Sequence, residues 1–295
     1  MPQELFGYPI VKQIGEGAAS TVYVVRDPAS NNLYTLKHVI RKSERDDRFL
    51  EQVEAEYALG SKVQHANVRG TVRLERKRKF FRTVELGLLL EFVDGRTLEE
   101  HLPSSVLVAT RIFAQVATGL ASMHAKGVIH ADMKPNNVML TTKTGAVKII
   151  DLGQACMFGT VKKRIQGTPG FIAPEQAMRE EITSQTDVYN FGATMYWALM
   201  GELIPTAMPP KDDAQSKLYR GALDAKSIRL PTPPHERRAD IPPMLSKTIM
   251  ECVHPDPAKR VQLMAHLATR LTLIGDLIEN PSAGPSADSD SMTSA

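Results

Sequence analysis

Residues suited to phosphate chemistry stand close together between positions 128 and 140. Asp132, Lys134 and Asn137 share one loop between a helical and a strand-like pattern. There the aspartate can accept a proton, the lysine can neutralise a phosphate and the asparagine amide can bind a metal ion. Asp151 follows an apolar strand pattern and precedes Leu-Gly, where a carboxylate is well placed to bind Mg²⁺, although in isolation Asp-Leu-Gly is an ordinary turn. The order of these residues predicts one shared site.

A glycine-rich stretch near the N-terminus is a second candidate for binding phosphate. Residues 15–20 read Gly-Glu-Gly-Ala-Ala-Ser between two strand patterns. The missing side chains let backbone N–H groups approach phosphate oxygens closely. Taken alone, the stretch is equally well explained as a tight hairpin turn, and the Gly-Lys-Ser/Thr sequence of a Walker-type loop is absent.

A lysine and a glutamate on successive elements form a third candidate pair. Lys37 lies inside an apolar strand pattern, and Glu56 lies in the helical pattern that follows it. A lone strand lysine is usually a solvated edge residue, but a carboxylate partner would orient it to grip phosphate oxygens. Glu51 and Glu54 are competing partners, and the spacing favours Glu56.

The elements that must position these side chains divide the chain into a strand-rich part and a helical part. β-branched and aromatic runs predict strands in the first part, and apolar residues at helical spacing predict helices in the second. The predicted strands are Tyr8–Ile14, Thr21–Arg26, Leu33–Ile40, Val68–Leu74, Thr83–Phe92, Val138–Leu140 and Val147–Ile150. The predicted helices are Asp46–Val63, Val106–Ala125 with Gly127 as its cap, Thr186–Met200 and a helical stretch over Met244–Ile278. Residues 203–243 are proline-rich and predicted to be mainly loop.

Composition indicates a globular protein. The 295 residues are 42% hydrophobic and 23% charged, which excludes a disordered, collagen-like or coiled-coil chain. The net charge of +3 is too small to indicate nucleic-acid binding, and two cysteines exclude a disulfide scaffold. The longest apolar run, Phe191–Met200, is about half of a membrane span, and the start lacks a signal-peptide pattern. We therefore expect no membrane span and a cytoplasmic location.

Taken in order, these motifs resemble those of protein kinases over roughly Tyr8–Leu277. Residues 167–175, Gly-Thr-Pro-Gly-Phe-Ile-Ala-Pro-Glu, are similar to the end of a kinase activation segment. The chain is thereby identified as a eukaryotic-like (Hanks-type) serine/threonine kinase catalytic domain. The resemblance implies an α+β bilobal fold: a β-rich N-lobe with one main helix over 1–92, a hinge and mostly helical C-lobe over 93–278, and a disordered tail over 279–295.

The resemblance also assigns roles to individual residues. It implies that the γ-phosphoryl group of ATP passes to a protein Ser/Thr hydroxyl with Mg²⁺ (or Mn²⁺) as the metal, and that Thr168 hydrogen-bonds toward Asp132 and Lys134. The implied catalytic residues are Lys37, Glu56, Asp132, Lys134 and Thr168. The implied nucleotide-binding residues are Ile14, Gly15, Glu16, Gly17, Ser20, Val22, Thr35, Lys37, Leu90, Glu91, Val93 and Met139. The implied metal ligands are Asn137 and Asp151. Asp187 is expected to brace the catalytic loop, and Arg260 to pair with Glu175.

Two positions depart from the family's pattern. Ala131 stands where many regulated kinases carry the arginine that binds a phosphorylated activation loop, so we expect activity that does not depend strongly on such phosphorylation. Gly60 stands one helical turn after Glu56, where a bulky apolar residue usually packs against Leu152 and His130, which leaves the stability of the active helix position open. The alternatives are a nucleotide-binding pseudokinase scaffold and a small-molecule kinase of similar fold.

A basic stretch over Arg69–Arg82 holds seven basic residues and one acidic residue. It is a possible docking patch for acidic partners, RNA or a membrane surface. The favoured interpretation is a solvated hairpin, because no aromatic interleaving organises it for base stacking, and the sequence carries no strong nucleic-acid signal.

Overall fold

The computed structural model describes residues 3–17, 19–205 and 228–283. Its first part is a six-stranded antiparallel sheet in the order β1-β2-β3-β4-β6-β5. The strands are β1 (Glu4–Leu5), β2 (Tyr8–Glu16), β3 (Ser20–Arg26), β4 (Leu33–Ile40), β5 (Thr71–Lys79) and β6 (Arg82–Glu91). The register places Lys37 between Val22 on β3 and Leu88 on β6, near the middle of the sheet. A strand lysine therefore lies over the interior of the sheet rather than at its edge.

One helix, α1 (Asp47–Gly60), packs on this sheet. Leu50 and Val53 recur at helical spacing and are buried with Leu86 and Leu88 of β6. Glu56 lies one turn beyond Val53 and is 2% exposed, which directs a carboxylate into the fold beside the central strands. Burial of the apolar face thus fixes the position of the one buried acid on α1.

The second part is mainly helical. Its helices are α2 (Val106–His124), α3 (Pro174–Met178), α4 (Ser184–Met200), α5 (Pro234–Arg237), α6 (Pro243–Cys252) and α7 (Met264–Glu279). The rings of Phe113 on α2 and Phe191 on α4 meet edge to face, 5.3 Å between centroids, in the centre of the core. Ser105 caps α2 by accepting a hydrogen bond from the Val108 N–H. The two long apolar helices form the base on which the loops between them rest.

The apolar helix α2 corrects one expectation from the sequence. It is long and apolar enough to cross a membrane by length and composition, although the sequence analysis placed the longest apolar run elsewhere. In the fold, 61% of its most apolar window is buried. Because most of this window is buried, α2 is a core helix, and it packs against α4 and α7.

Short strands fix the loops of the helical part. They are β7 (Gly95–Thr97), β8 (Val128–Ile129), β9 (Val138–Thr141), β10 (Val147–Ile149), β11 (Cys156–Met157), β12 (Thr160–Val161) and β13 (Glu181–Ile182). β9 lies between β10 and β7, while β8 pairs with β11 and β12 with β13. A single 3₁₀ turn, residues 135–137, leads into β9. Both ends of the segment between Asp151 and Ile182 are thereby tied to the helical part.

Several predicted boundaries were wrong, each for a physical reason. β5 begins at Thr71 rather than Val68, because residues 67–69 pair with β10 instead of the large sheet. The helical stretch over 244–278 is interrupted by a segment that contains Pro255 and Pro257, which cannot continue a helix. α2 ends at His124, and Gly127 (φ 69°) lies beyond its Ala125 cap.

The expectations for the loop and the tail are only partly covered by the described residues. Within the proline-rich stretch, α5 is a short helix, and residues 206–227 lie outside the described residues. Disorder was expected from residue 279, but α7 continues to Glu279 and residues 281–283 form a 3₁₀ turn. The rest of the predicted tail, 284–295, also lies outside the described residues.

Candidate active site

The candidate site starts from an ion pair between the sheet and α1. Lys37 Nζ lies 2.7 Å from Glu56 Oε2 and 3.3 Å from Asp151 Oδ1. The competing glutamates do not take this place, since Glu54 pairs with Arg76 at 3.1 Å and Glu51 is exposed. Burial lowers the pKa of Lys37, but attraction by Glu56 and Asp151 outweighs it and raises the pKa above its usual value. The ammonium group is therefore charged and held by two carboxylates from different elements.

Asp151 brings the end of β10 to the same point. Burial raises the pKa of its carboxyl group, but attraction by Lys37 and Arg69 is stronger and lowers the pKa to about 2. Oδ1 also accepts a hydrogen bond from the Gly153 N–H at 3.2 Å, and the backbone of Asp151 adopts φ 62°. A left-handed conformation at a residue other than glycine is uncommon and costs energy. The fold thus stabilises an ionised carboxylate in a strained position beside Lys37.

The loop before β9 places three polar groups in direct contact. The hydroxyl of Thr168 donates to Asp132 Oδ1 at 2.7 Å and accepts from Lys134 Nζ at 2.9 Å. Lys134 Nζ also lies 3.1 Å from Asp132 Oδ2. Asp132 is 9% exposed, so this carboxylate is held between a cation and a hydroxyl at the edge of the cleft. The arrangement presents an oriented proton acceptor next to a positive charge.

A buried aspartate on α4 holds this loop from behind. Asp187 is fully buried, and its two oxygens accept the backbone N–H groups of His130 and Ala131 at 2.9 and 2.8 Å. His124 Nε2 lies 2.8 Å from Asp187 Oδ2. Ala131 adopts φ 59°, a turn that these hydrogen bonds help to maintain. The expected bracing role of Asp187 is matched by its contacts.

Asn137 and Asp151 provide oxygen ligands of the kind that Mg²⁺ prefers. The Asn137 amide nitrogen donates to the Asp132 backbone carbonyl at 2.8 Å, and none of the described residues hydrogen-bonds to its amide oxygen. The Ile150 N–H donates to the Asn137 backbone carbonyl at 2.9 Å, which keeps the two metal-ligand candidates adjacent. No group of three or more His, Cys, Asp or Glu able to hold a metal occurs among the described residues. The pair fits a divalent metal ion that prefers oxygen ligands.

The glycine-rich hairpin and Lys37 border a common cavity. The Gly17 N–H donates to the Ser20 carbonyl at 2.7 Å and closes the turn between β2 and β3, while Ala18 is not described. A cavity of about 500 Å³ lies between this hairpin, α1 and residues 164–167, and its lining includes Ser20 and Lys37. The hairpin turn and the lysine thus face the same space, as phosphate binding requires.

Four of the implied nucleotide-binding residues, which the resemblance places around the adenine of ATP, lie outside the lining of that cavity: Thr35, Leu90, Glu91 and Val93. Thr35 and Leu90 are paired neighbours on β4 and β6, and both are 3% exposed. The Glu91 N–H donates to the Gly70 carbonyl, so any contact of Glu91 with adenine has to use its own carbonyl oxygen. Val93 is 8% exposed, and its N–H makes no hydrogen bond to the described residues. A buried unpaired N–H group is suited to a ligand acceptor.

The remaining implied nucleotide-binding residues lie on three strands or just after one of them. Val22 is half-buried on β3, and Met139 is half-buried on β9. The others are Ile14, Gly15, Glu16 and Gly17 on and after the end of β2. Of these, Ile14, Glu16 and Gly17 are exposed.

Gly60 proves to be a close contact between elements. A Cβ atom at Gly60 would lie 2.2 Å from Thr71 Oγ1, 3.2 Å from Thr71 Cβ and 3.4 Å from Leu152 Cδ1. The space of the bulky residue usual in kinases is thus occupied by Thr71 of β5. Gln52 adds a second link, because its amide nitrogen donates to the Gly153 carbonyl at 2.7 Å. The sequence left open how α1 is held in place. In the structure it is held by the close approach of Gly60 to Thr71 and by the hydrogen bond from Gln52 to Gly153.

Sequence reasoning missed Arg69 and Gln176. Arg69 was assigned to a surface stretch, yet its backbone pairs with Ile149, two residues before Asp151, and its side chain is half-buried. Burial lowers the pKa of Arg69, opposed by the nearby charges of Glu56, Asp151 and Glu91. Because Arg69 belongs to a run of basic residues, the sequence gave no indication that its side chain is half-buried near Asp151.

Gln176 connects the activation segment to the catalytic loop. Its amide nitrogen donates to the Ala131 carbonyl at 2.7 Å and lies 3.4 Å from the Gln166 carbonyl. Its amide oxygen accepts from the Asn190 side chain at 2.9 Å. Buried polar networks of this kind rigidify the loops that they join.

The neighbouring Glu175 forms the expected pair with Arg260. The guanidinium group donates to both carboxylate oxygens at 2.7 and 2.9 Å, and the Arg260 side chain is fully buried. Further bonds run from Arg260 to the carbonyls of His254, Pro255 and Gln185. The end of the activation segment is thereby anchored to the helical core.

Comparison with known proteins agrees with this geometry. The family model described as "Protein kinase domain" matches residues 8–271. A probable serine/threonine-protein kinase of Clostridium acetobutylicum is 26% identical over 270 residues, covering 86% of this chain and 38% of that protein. Serine/threonine-protein kinase PknB of Mycolicibacterium smegmatis is 30% identical over 222 residues, covering 70% of this chain and 34% of that protein.

A plant relative is covered more completely. Serine/threonine-protein kinase SRK2E of Arabidopsis thaliana is 28% identical over 265 residues, covering 87% of this chain and 68% of that protein. The chain thus spans little more than a third of the two bacterial relatives named above. The family model covers residues 8–271, which is most of the chain, and Lys37 contacts both Glu56 and Asp151. The chain therefore belongs to the protein kinase domain family.

Proposed function

We propose that the chain is a serine/threonine protein kinase domain that transfers the γ-phosphoryl group of ATP to protein hydroxyls. The observation that carries the proposal is the Thr168 hydroxyl, which joins Asp132 and Lys134 by one donated and one accepted hydrogen bond. The names of the relatives, all serine/threonine-protein kinases, support the same acceptor class.

The chain's own groups would act mainly by position and charge. Lys37, oriented by Glu56, would bind nonbridging phosphate oxygens. Asp132 would accept the proton of the attacking hydroxyl as the new P–O bond forms and the bond to ADP breaks, and Lys134 would stabilise the transferring group. A magnesium ion held by Asn137 and Asp151 supplies charge neutralisation on the phosphate oxygens when bound.

We also propose that activity does not require phosphorylation of the activation segment. In regulated kinases an arginine at the position of Ala131 pairs with phosphate on that segment. Here the neutral Gln176 amide bonds to Ala131 and lies near Gln166, so the segment is held without a phosphate. Phosphatase treatment should change the rate less than about tenfold, whereas a hundredfold loss would contradict the proposal.

We also propose that the domain is located in the cytoplasm. Cys156 and Cys252 are both free and buried, which fits a reducing cytoplasm.

Labelled ATP with Mg²⁺ and casein as acceptor tests the main proposal. Wild type should transfer label, and phosphoamino acid analysis should find it on serine or threonine. Asp132→Asn should lower transfer at least about a hundredfold, because the proton acceptor is lost. Asp276→Asn, at the exposed end of α7, is the matched control and should leave the rate unchanged. Nucleotide binding without transfer in the wild type would instead support the pseudokinase alternative.

A further inference from the structure

The hairpin between β5 and β6 ends in two exposed aromatic side chains. Phe80 and Phe81 form the two-residue turn between Lys79 and Arg82 and are 89% and 100% exposed. Both rings therefore face solvent at the end of a hairpin. Packing within the described residues gives them no role in stability.

The hairpin extends well beyond the body of the sheet. The last buried residue on β6 toward the tip is Leu86, which pairs with Arg76. β4 pairs with β6 as far as Ile40, opposite Glu85, and just beyond it the Arg41 N–H donates to the Val84 carbonyl at 2.8 Å. Phe80 lies four positions after Arg76, so the turn lies roughly 13 Å beyond the core at the usual strand rise. The tip can therefore contact a partner, or enter a non-aqueous phase, while the rest of the sheet keeps its position.

Basic side chains surround this tip. Lys79 and Arg82 are direct cross-strand partners and so lie on one face, while the adjacent Arg78 lies on the other. Arg78 and Lys79 make no ion pair with a carboxylate of the described residues, and Arg82 reaches Glu44 only at 4.0 Å. Lys77, one position further from the turn, pairs with Glu85 at 2.9 Å. Free cations are therefore concentrated next to the phenylalanines, on both faces.

The turn itself is unfavourable for a phenylalanine. Phe80 has φ 55°, a conformation that two-residue hairpin turns normally assign to glycine or asparagine. A bulky residue in this position carries a conformational cost, and its exposed ring gains nothing from burial to offset it. A role outside the fold accounts for an aromatic residue here.

We propose that this tip is a membrane contact, in which Phe80 and Phe81 enter the interfacial region of an anionic lipid bilayer while the adjacent cations bind lipid phosphates. Two rings are too small an apolar surface for a stable protein interface, which buries about 800 Å² per partner. A fluid bilayer requires only an apolar tip and nearby positive charge. Base stacking on RNA would favour cations along one groove, whereas here they lie on both faces. The inference is independent of phosphoryl transfer.

Sedimentation of the full chain with vesicles tests this contact. Wild type should bind vesicles of phosphatidylcholine mixed with phosphatidylserine, and should bind phosphatidylcholine alone at least about tenfold more weakly. Phe80→Ser/Phe81→Ser and Arg78→Glu/Lys79→Glu should each reduce binding to the mixed vesicles at least about tenfold. The controls are Leu273→Ser, an exposed apolar residue on α7, and Lys143→Glu/Lys247→Glu, which changes the net charge by the same amount at exposed sites elsewhere. Both controls should bind as wild type.

A fluorescent reporter measures insertion directly. Trp197 is the only tryptophan, so Phe81→Trp combined with Trp197→Phe places the signal at the tip. Its emission should shift to the blue on anionic vesicles and be quenched by brominated acyl chains. The proposal is wrong if the double phenylalanine variant binds mixed vesicles like wild type. It is equally wrong if wild type does not bind vesicles, whether or not it binds single-stranded RNA.

Discussion

The contact between Gly60 and Thr71 predicts that adding a single methyl group at Gly60 will destabilise the protein. Gly60→Ala improves intrinsic helix stability by at most about 1 kcal/mol, and by less at the last residue of α1. The added carbon would lie 2.2 Å from Thr71 Oγ1 and 3.2 Å from Thr71 Cβ, so rotation of the threonine relieves the first contact but not the second. Overpacking of this kind costs about 1–3 kcal/mol. We therefore expect a net loss of about 1 kcal/mol in the free energy of unfolding.

A double-mutant cycle in urea isolates this contact. Gly60→Ala, Thr71→Ala and the double variant should show a coupling energy of about 1–2 kcal/mol, with the double variant more stable than the sum of the single effects. The matched control is Gly275→Ala on α7, where the atoms nearest to the added carbon belong to the Arg111 side chain, at 3.2–3.3 Å, and none is closer. That control should be neutral or stabilising by up to about 1 kcal/mol.

The same variants test the consequence for the cleft. Displacing α1 moves Glu56 away from Lys37, so Gly60→Ala should lower the phosphoryl-transfer rate and Thr71→Ala should partly restore it. The reasoning is refuted if Gly60→Ala stabilises the protein as much as Gly275→Ala does, since the added methyl group would then fit beside Thr71 without strain.

Three further predictions concern buried or charged groups. Arg260→Met and Glu175→Gln should each lower the free energy of unfolding by about 3–5 kcal/mol in thermal or urea denaturation, because each leaves one member of a buried pair without its partner; a loss below about 1 kcal/mol would show that the site relaxes. The folded pKa of Asp151, about 2, lies below its ordinary 3.8, so its stabilisation is complete above about pH 4 and is lost as the pH falls through about 2. Its side chain is 48% exposed and screened by solvent, so the contribution is about 1 kcal/mol, seen as a shallower acid-unfolding curve in Asp151→Asn; an unchanged curve would argue against it. Burial raises the pKa of Cys156 and raises that of Cys252 to about 12, so Ellman's reagent at pH 8 should react with neither thiol until the chain unfolds, and rapid reaction in the native protein would contradict this.

Residue type at a fixed separation was sufficient to select candidate site residues. Lys37, Glu56 and the Asp132 loop were selected in this way, and in the structure Lys37 contacts Glu56 while Asp132 contacts Lys134 and Thr168. Their elements were also predictable, because apolar spacing marks the buried face of α1 and of α2.

Sequence reasoning was insufficient where two distant segments touch. The glycine at 60 reads as a weak point of a helix until Thr71 is seen beside it. Arg69 reads as part of a basic surface run until residues 67–69 pair with β10 and turn it inward. Phe80 and Phe81 lie between two predicted strands, and only the observed register shows that they are a two-residue turn. In each case the information lies in pairing between segments, which no local pattern contains.

The position of Ala131 has a consequence for how this protein could acquire regulation. Its methyl group lies in a small apolar cluster with Ile129, Cys156 and Ile182. An arginine introduced there would place a long charged chain among these side chains, at a backbone φ of 59° that already disfavours bulk. A phosphate-binding arginine at position 131 would therefore need compensating changes among the apolar side chains around it.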